Sequence, residues 1–252
     1  MSDEHASPGG EGSGDDASFG FAPMIDTIAT ESRRLATVVG ASDLESLVPS
    51  CPEWSVRDLA HHIGVVQWYW GENVRAKNAD ERSGGELTPT PEDADLLAWL
   101  GWCTYSLLSA LREAGPGAPC WAWWPSPRTS GAVGRHQAQE AAVHRWDAEG
   151  VGGAPGPLPA LLATDGVPEF VEIMIGADLS ALPGAVTLTA TDTGASWQVA
   201  GTAAERSGRV SELKATASDL VLMLYRRLPV PDAAVVGDPM LVAALLSLAD
   251  TS

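Results

Sequence analysis

Four segments between Pro23 and Glu149 carry helical signals, and each is closed off by turn-forming residues, a pattern that sheet strands cannot satisfy. The first is predicted from Pro23, a favoured early-helix residue, to the stop at Gly40. Ser55 with Asp58 three residues on has the form of a capping box, which places the second helix from Val56 to about Asn78. A loop rich in Gly, Thr and Pro, from Ser83 to Pro91, leads to a third helix from Glu92 to Ala114. Leu96, Leu97, Leu100, Leu107, Leu108 and Leu111 supply its apolar stripe. The stretch WAWWPSPRTS, Trp121 to Ser130, has Pro at two places and is predicted to cross the end of the bundle as an aromatic loop. The fourth helix reads from about Ala132 to Glu149 and is stopped by GVGG. Helices of this length joined by loops predict an antiparallel four-helix bundle.

After Gly150 the texture changes. GGAPGPLP reads as a linker, DGVPEFVEIMIG as helical, and VTLTAT and SWQVAG as two strands joined by a DTG turn. A strand around Glu212 to Ala217, a helix from Asp219 to Leu228 stopped by Pro229, and a last helix from Pro239 to Leu248 complete a small α+β domain. The fold class is therefore α+β, with an acidic, disordered tail at residues 1–20, the helical bundle at 21–150 and the α+β domain at 151–252.

The apolar runs are too short to span a bilayer, and the N-terminus has acids where a signal peptide carries basic residues, so a cytoplasmic protein is expected. A formal charge of −18 argues against nucleic acid or an anionic membrane as a partner, since both would be repelled. Cys51, Cys103 and Cys120 are odd in number and lack metal-ligand spacing, which fits free thiols in a reducing compartment. Ten Trp against three Phe and three Tyr, most of them gathered between Trp54 and Trp124, predict large flat walls in one region. A monomer or a small homo-oligomer is expected.

The chemistry sits on the fourth helix. Glu140 and His144 are four residues apart and project from one face on successive turns, which is ligand spacing. His136 shares that face but lies two turns, about 12 Å, from His144, whereas ligands of one zinc lie within about 4 Å of one another. A third ligand is therefore expected from another helix, and the candidates are His61 and His62. The second helix's stripe of Val56, Leu59, Ile63, Val66 and Trp70 centres about 70° from His62 and nearly opposite His61. His62 is thus expected at the core and His61 in solvent. A His, Glu, His set with an open position is a catalytic arrangement, because the vacant site takes water, thiolate or substrate. A Glu–His pair also occurs on solvated helices, and a core-edge His is often only hydrogen-bonded.

The segments CPEWSVRDLAHHIG (Cys51 to Gly64) and EAAVHRWDAEG (Glu140 to Gly150) together resemble the mycothiol-dependent maleylpyruvate isomerase family, which has a DinB-like bundle as its N-terminal domain. The resemblance implies metal ligands at His62, Glu140 and His144. In the C-terminal half, SDLVLMLYRRLP looks like the family's stretch ending in two apolar residues and Trp-Gly-Arg, with Tyr225 and Arg226 in place of Trp and Gly. This maps the catalytic Arg onto Arg227, with Arg226 adjacent as the alternative and a helix-dipole role as the plain structural one.

What the resemblance implies is a Zn2+ enzyme that uses mycothiol, a cysteinyl pseudodisaccharide, as thiol cofactor or co-substrate. The metal-bound thiol is deprotonated and attacks a small electrophile, and Arg227 holds a carboxylate or developing enolate charge. The reaction implied is cis-trans isomerisation of a maleylpyruvate-like unsaturated acid. A mycothiol S-transferase of detoxification or biosynthesis is the alternative, and a zinc-stabilised binding protein without turnover is a third reading. Asp147 is a candidate to hydrogen-bond a ligand or the thiol, or merely a surface acid. Trp123 and Trp124, with Trp121, are candidates to wall the substrate pocket or to bury area. Arg145 and Cys51 are read as structural.

Overall fold

The computed structural model describes residues 19–85, 91–176 and 178–249. The acidic N-terminal stretch expected to be disordered lies, but for its last two residues, outside them, as do residues 86–90 of the loop expected at Ser83 to Pro91. Helices α1 (Phe21–Ala41), α2 (Val56–Ala76), α3 (Leu96–Ala114) and α4 (Ser130–Gly150) form the bundle. The capping box at α2 is complete: Ser55 Oγ accepts from the Asp58 N–H at 3.2 Å, and the Asp58 carboxylate accepts from the Ser55 N–H at 2.9 Å. Thr129 caps α4 by accepting from the Ala132 N–H, which starts that helix two residues earlier than its apolar pattern suggests.

The pairings give the helix directions. Gly64 of α2 faces Trp99 of α3 and Gly71 faces Leu107, so these two run parallel. Glu31 and Arg34 of α1 meet Arg145 and Glu149 of α4, so these also run parallel. His62 lies beside Glu140 and Trp70 beside His136, which sets α2 against α4. The antiparallel relation therefore holds between the two pairs, and the chain from α2 to α3 is a crossover. Gly64 makes the α2–α3 approach possible: a Cβ there would stand 2.2 Å from the Trp99 ring.

Between α1 and α2 lies a short hairpin, β1 (Leu47–Val48) with β2 (Cys51–Ser55). The C-terminal part has α5 (Ala160–Phe170), which continues as a π-helical stretch Val171–Ile175, then β3 (Ala185–Ala190), β4 (Ser196–Ala200), the short α6 (Ala204–Ser207), β5 (Val210–Ala215), α7 (Ala217–Leu224), β6 (Val235–Gly237) and α8 (Pro239–Leu246). The sheet order is β4-β3-β5-β6; β3 and β5 are parallel, with Leu188 opposite Leu213, and both outer pairs are antiparallel. The helix expected from Asp219 to Leu228 ends at Leu224, ahead of Pro229. Arg226 takes a left-handed conformation (φ 59°), and the Arg227 and Leu228 N–H groups turn back onto the Leu222 carbonyl.

One apolar cluster runs without a break from Met24, Trp70 and Leu107 of the bundle through Val167 and Phe170 to Leu188, Leu220 and Leu245 around the sheet. A second, with Leu35, Leu59, Ile63 and Leu100, fills the other end of the bundle. The fully buried Arg145 fixes the junction: it donates to Glu31 and Glu149 and to the carbonyls of Gly156 and Pro157. No described helix is long and apolar enough to cross a membrane.

Candidate metal centre

Helix α4 lacks an apolar stripe because its inward face is polar: His136, Gln137, Gln139, His144, Arg145 and Asp147 are all buried. Such a helix is held by partners rather than by propensity, and its partners define the site. Glu140 and His144 project toward α2, where His62 meets them. The His144 Nε2 lies 3.4 Å and the His62 Nε2 3.9 Å from the same Glu140 Oε2. One ligand atom from each of the three residues lies within 4.8 Å of the other two, and among the described residues this is the one such group of three or more His, Cys, Asp or Glu. Tetrahedral coordination with bonds of about 2.1 Å separates ligand atoms by about 3.4 Å. The donor set and its spacing fit a zinc ion with one position left open.

The groups behind the three ligands decide their protonation. Asp147, fully buried, is acceptor-only as a carboxylate, so the His144 Nδ1 at 2.9 Å carries the proton and Nε2 is turned toward Glu140. Burial alone would lower the His144 pKa, but the bonds to Asp147 and Glu140 lift it to about 9. For His62 burial dominates and lowers the pKa, leaving a neutral imidazole. Burial opposes the charge on Glu140, yet His144 and His62 hold its carboxyl well below the usual range.

His136 stands apart from this group. Its Nδ1 pairs with the buried Glu169 at 2.8 Å, and its Nε2 faces the other oxygen of Glu140 at 3.8 Å. His61 and His62 are both half-buried, so exposure does not separate them as expected, and His61 does not face solvent: its ring stacks on Trp99 of α3 at 5.4 Å. What separates the two is direction: His62 meets Glu140 and His144, whereas His61 is turned to Trp99.

The three residues open on a cavity of about 710 Å³. Arg227, on the turn after α7, reaches it from the C-terminal part and donates from Nε to Asp147 at 3.1 and 3.3 Å. Asp147 also accepts from Ser50 Oγ at 2.6 Å. One carboxylate thus orients both His144 and Arg227. Arg226 points elsewhere, onto the Leu246 and Ala249 carbonyls. Ser50 from the β1–β2 turn, and Cys51 and Trp54 from β2, also line the cavity, with Trp54 4.7 Å from the His62 ring.

The aromatic loop divides between the two roles open to it. Trp121 and Trp123 line the cavity, and Trp123 is 50 % exposed. Trp124 is not among the lining residues: it is 2 % exposed and its indole N–H donates to the Pro127 carbonyl at 2.7 Å, so it is a core residue. Tyr225 is a lining residue that the sequence does not single out. Its hydroxyl is buried without a hydrogen-bond partner among the described residues. Burial, then the nearby Glu169 and Glu140 carboxylates, push its pKa well above the usual phenol range, so it stays a donor.

A sequence profile described as the mycothiol maleylpyruvate isomerase N-terminal domain matches residues 25–149, the span of the bundle. No curated protein matches the sequence. Two crystal structures share the fold, both with 10 % identity. One, a mutant form of the mycothiol-dependent maleylpyruvate isomerase, has a TM-score of 0.65 and covers 87 % of this chain and 93 % of its own. The other, a crystal structure of the mycothiol-dependent maleylpyruvate isomerase, has a TM-score of 0.61 and covers 82 % and 88 %. With that profile across the helices that carry His62, Glu140 and His144, and that fold across both halves, the chain belongs to the mycothiol-dependent maleylpyruvate isomerase family.

Proposed function

We propose that this chain is a zinc-dependent, mycothiol-using isomerase that interconverts the cis and trans forms of a maleylpyruvate-like unsaturated acid. The observation that carries the reading is the shared use of Asp147, which orients one ligand of the candidate metal centre and the one Arg that reaches the cavity from the C-terminal part. A zinc ion held by His62, Glu140 and His144 would supply a thiolate at neutral pH by lowering the pKa of a thiol at its open position.

The chain's own residues do the rest. Arg227, fixed in direction by Asp147 and by its bond to the Tyr225 carbonyl at 3.0 Å, faces the carboxylate of the acid. Addition of a thiolate to the double bond sends the π electron pair into the conjugated carbonyl, while Arg227 holds the carboxylate in place. The former double bond then rotates freely. Collapse of the enolate expels the thiolate and restores the double bond, so no atom is gained or lost.

The test has two parts. His62→Ala and His144→Ala are expected to lose bound zinc and His61→Ala to keep it; full retention in the first two overturns the site. Incubation of the zinc protein with mycothiol and a cis-unsaturated oxo-acid, read by mass spectrometry, is expected to give an isomer with the thiol unchanged. A stable thiol conjugate would instead make the chain an S-transferase, and binding without turnover a carrier.

A further inference from the structure

The cavity runs along α4. His136, Glu140, His144 and Asp147 follow one another on one face of that helix, and at 1.5 Å per residue they span about 16 Å. The chemistry changes along this line. At the Asp147 end stands Arg227, a cation held by a carboxylate. The three candidate ligands occupy the middle. At the His136 end the wall is aromatic: Trp123 lies 5.1 Å and Trp70 6.1 Å from the His136 ring, and Trp121 packs on Trp70.

Two features of this end have no use in the metal site. The half-exposed Trp123 presents an indole to the cavity while its neighbour Trp124 is buried. Tyr225 lines the same cavity, and its hydroxyl is buried without an acceptor among the described residues, an arrangement that is unfavourable unless a ligand brings one. The far end of maleylpyruvate is a second carboxylate, and the negative face of an indole is a poor place for an anion. The other Arg among the lining residues, Arg82, is exposed and stands beside the Tyr69 hydroxyl.

We propose that the substrate is an unsaturated acid bearing a flat apolar group, with its carboxylate at Arg227, a carbonyl oxygen accepting from Tyr225, and the flat group against Trp70, Trp121 and Trp123. The proposal rests on the isomerase reading and names its substrate class. It requires a single negative charge, at the Arg227 end.

Saturated analogues cannot add a thiol and so report binding alone. In calorimetric titration of the zinc-loaded protein, 3-benzoylpropanoate is expected to bind at least tenfold more tightly than succinate. Trp123→Leu, which changes a half-exposed position, is expected to remove about tenfold of that affinity. Tyr225→Phe is expected to weaken 3-benzoylpropanoate severalfold and to leave 4-phenylbutanoate, which lacks the ketone, unchanged. Succinate binding equally well, or losing affinity in Arg82→Ala, overturns the proposal in favour of a dicarboxylate. An unaltered Trp123→Leu affinity overturns it too, as does a loss confined to mycothiol, which would make the wall a platform for the thiol's sugars. Titration with mycothiol separates the two levels: if mycothiol binds and the aryl acid does not, the substrate class falls and the isomerase reading stands. If the aryl acid binds in a Trp123-dependent way and mycothiol does not, the isomerase reading falls and the aromatic subsite stands.

Discussion

His144 and Asp147, one helical turn apart on α4, are joined by a 2.9 Å hydrogen bond that sets which nitrogen of the imidazole faces the cavity. Asp147 has no exposed surface, and it accepts from His144, Arg227, Ser50 and, at 3.9 Å, the Cys51 thiol. Asp147→Asn keeps the shape but replaces one acceptor oxygen by a donor and frees the imidazole to change tautomer. Zinc affinity, measured by chelator competition, is expected to fall about 10- to 100-fold, with the far-ultraviolet circular dichroism unchanged. An unaltered zinc affinity would show that the bond does not orient the ligand.

Much of the bundle is legible in the sequence because its signals are local. The capping box at Ser55 and Asp58 fixes the start of α2, and the i, i+4 spacing of Glu140 and His144 needs no tertiary information. What escapes depends on neighbours. Pro49 and Pro52 conceal the β1–β2 hairpin, which brings Ser50 and Cys51 to the cavity. The three-residue β6 is too short to show alternation. His61 is covered by Trp99 of α3, and Trp124 by the core, although both sit in motifs that read as exposed or lining. Tyr225 carries no sequence signal of its own, and what marks it is that its hydroxyl has no hydrogen-bond partner among the described residues.

The three thiols are expected to react in a fixed order. Cys103 and Cys120 are fully buried, and burial pushes both pKa values up to about 12. Cys51 is half-buried at the cavity; burial, then the Asp147 charge, raise its pKa to a smaller extent. Iodoacetamide under native conditions is therefore expected to label Cys51 alone. Because the thiolate is the reactive form, the rate climbs with pH above the ordinary thiol range, and Asp147→Asn shifts that climb to lower pH. Peptide mapping by mass spectrometry reads both; labelling of Cys103 before Cys51 would contradict the burial order.

Arg226 holds the left-handed position that ends α7. A side chain in that conformation costs about 1 kcal/mol relative to Gly, and the Arg226 bonds to the Leu246 and Ala249 carbonyls at 2.7 and 3.0 Å offset it by tying α7 to the end of α8. Arg226→Ala keeps the strain and loses both bonds, whereas Arg226→Gly loses the bonds and the strain together. The Ala variant is expected to be the less stable of the two by about 1 kcal/mol, a Tm lower by about 2–4 °C. Equal melting temperatures would remove the conformational argument.

Glu149 is where α1, α4 and the linker meet, and it gives a pH signature away from the cavity. Burial opposes its charge, but the Gly156 N–H, Arg145 and Arg34 at 2.9, 2.8 and 2.7 Å hold its carboxyl below the ordinary value. A carboxylate whose pKa is lowered by folding adds stability above its unfolded value and loses it as the pH falls through the folded one. Glu149→Gln is therefore expected to cost about 2 kcal/mol at neutral pH, since the Arg145 guanidinium is fully buried and loses a charged partner. Below the unfolded value of 4.5 the difference from the wild type is expected to narrow, because the wild-type side chain becomes neutral as well. Denaturant unfolding of both proteins from pH 7 down to pH 3 measures this directly. A gap that stays constant over that range would mean that Glu149 contributes through packing, and that the charge on Arg145 is balanced by Glu31 alone.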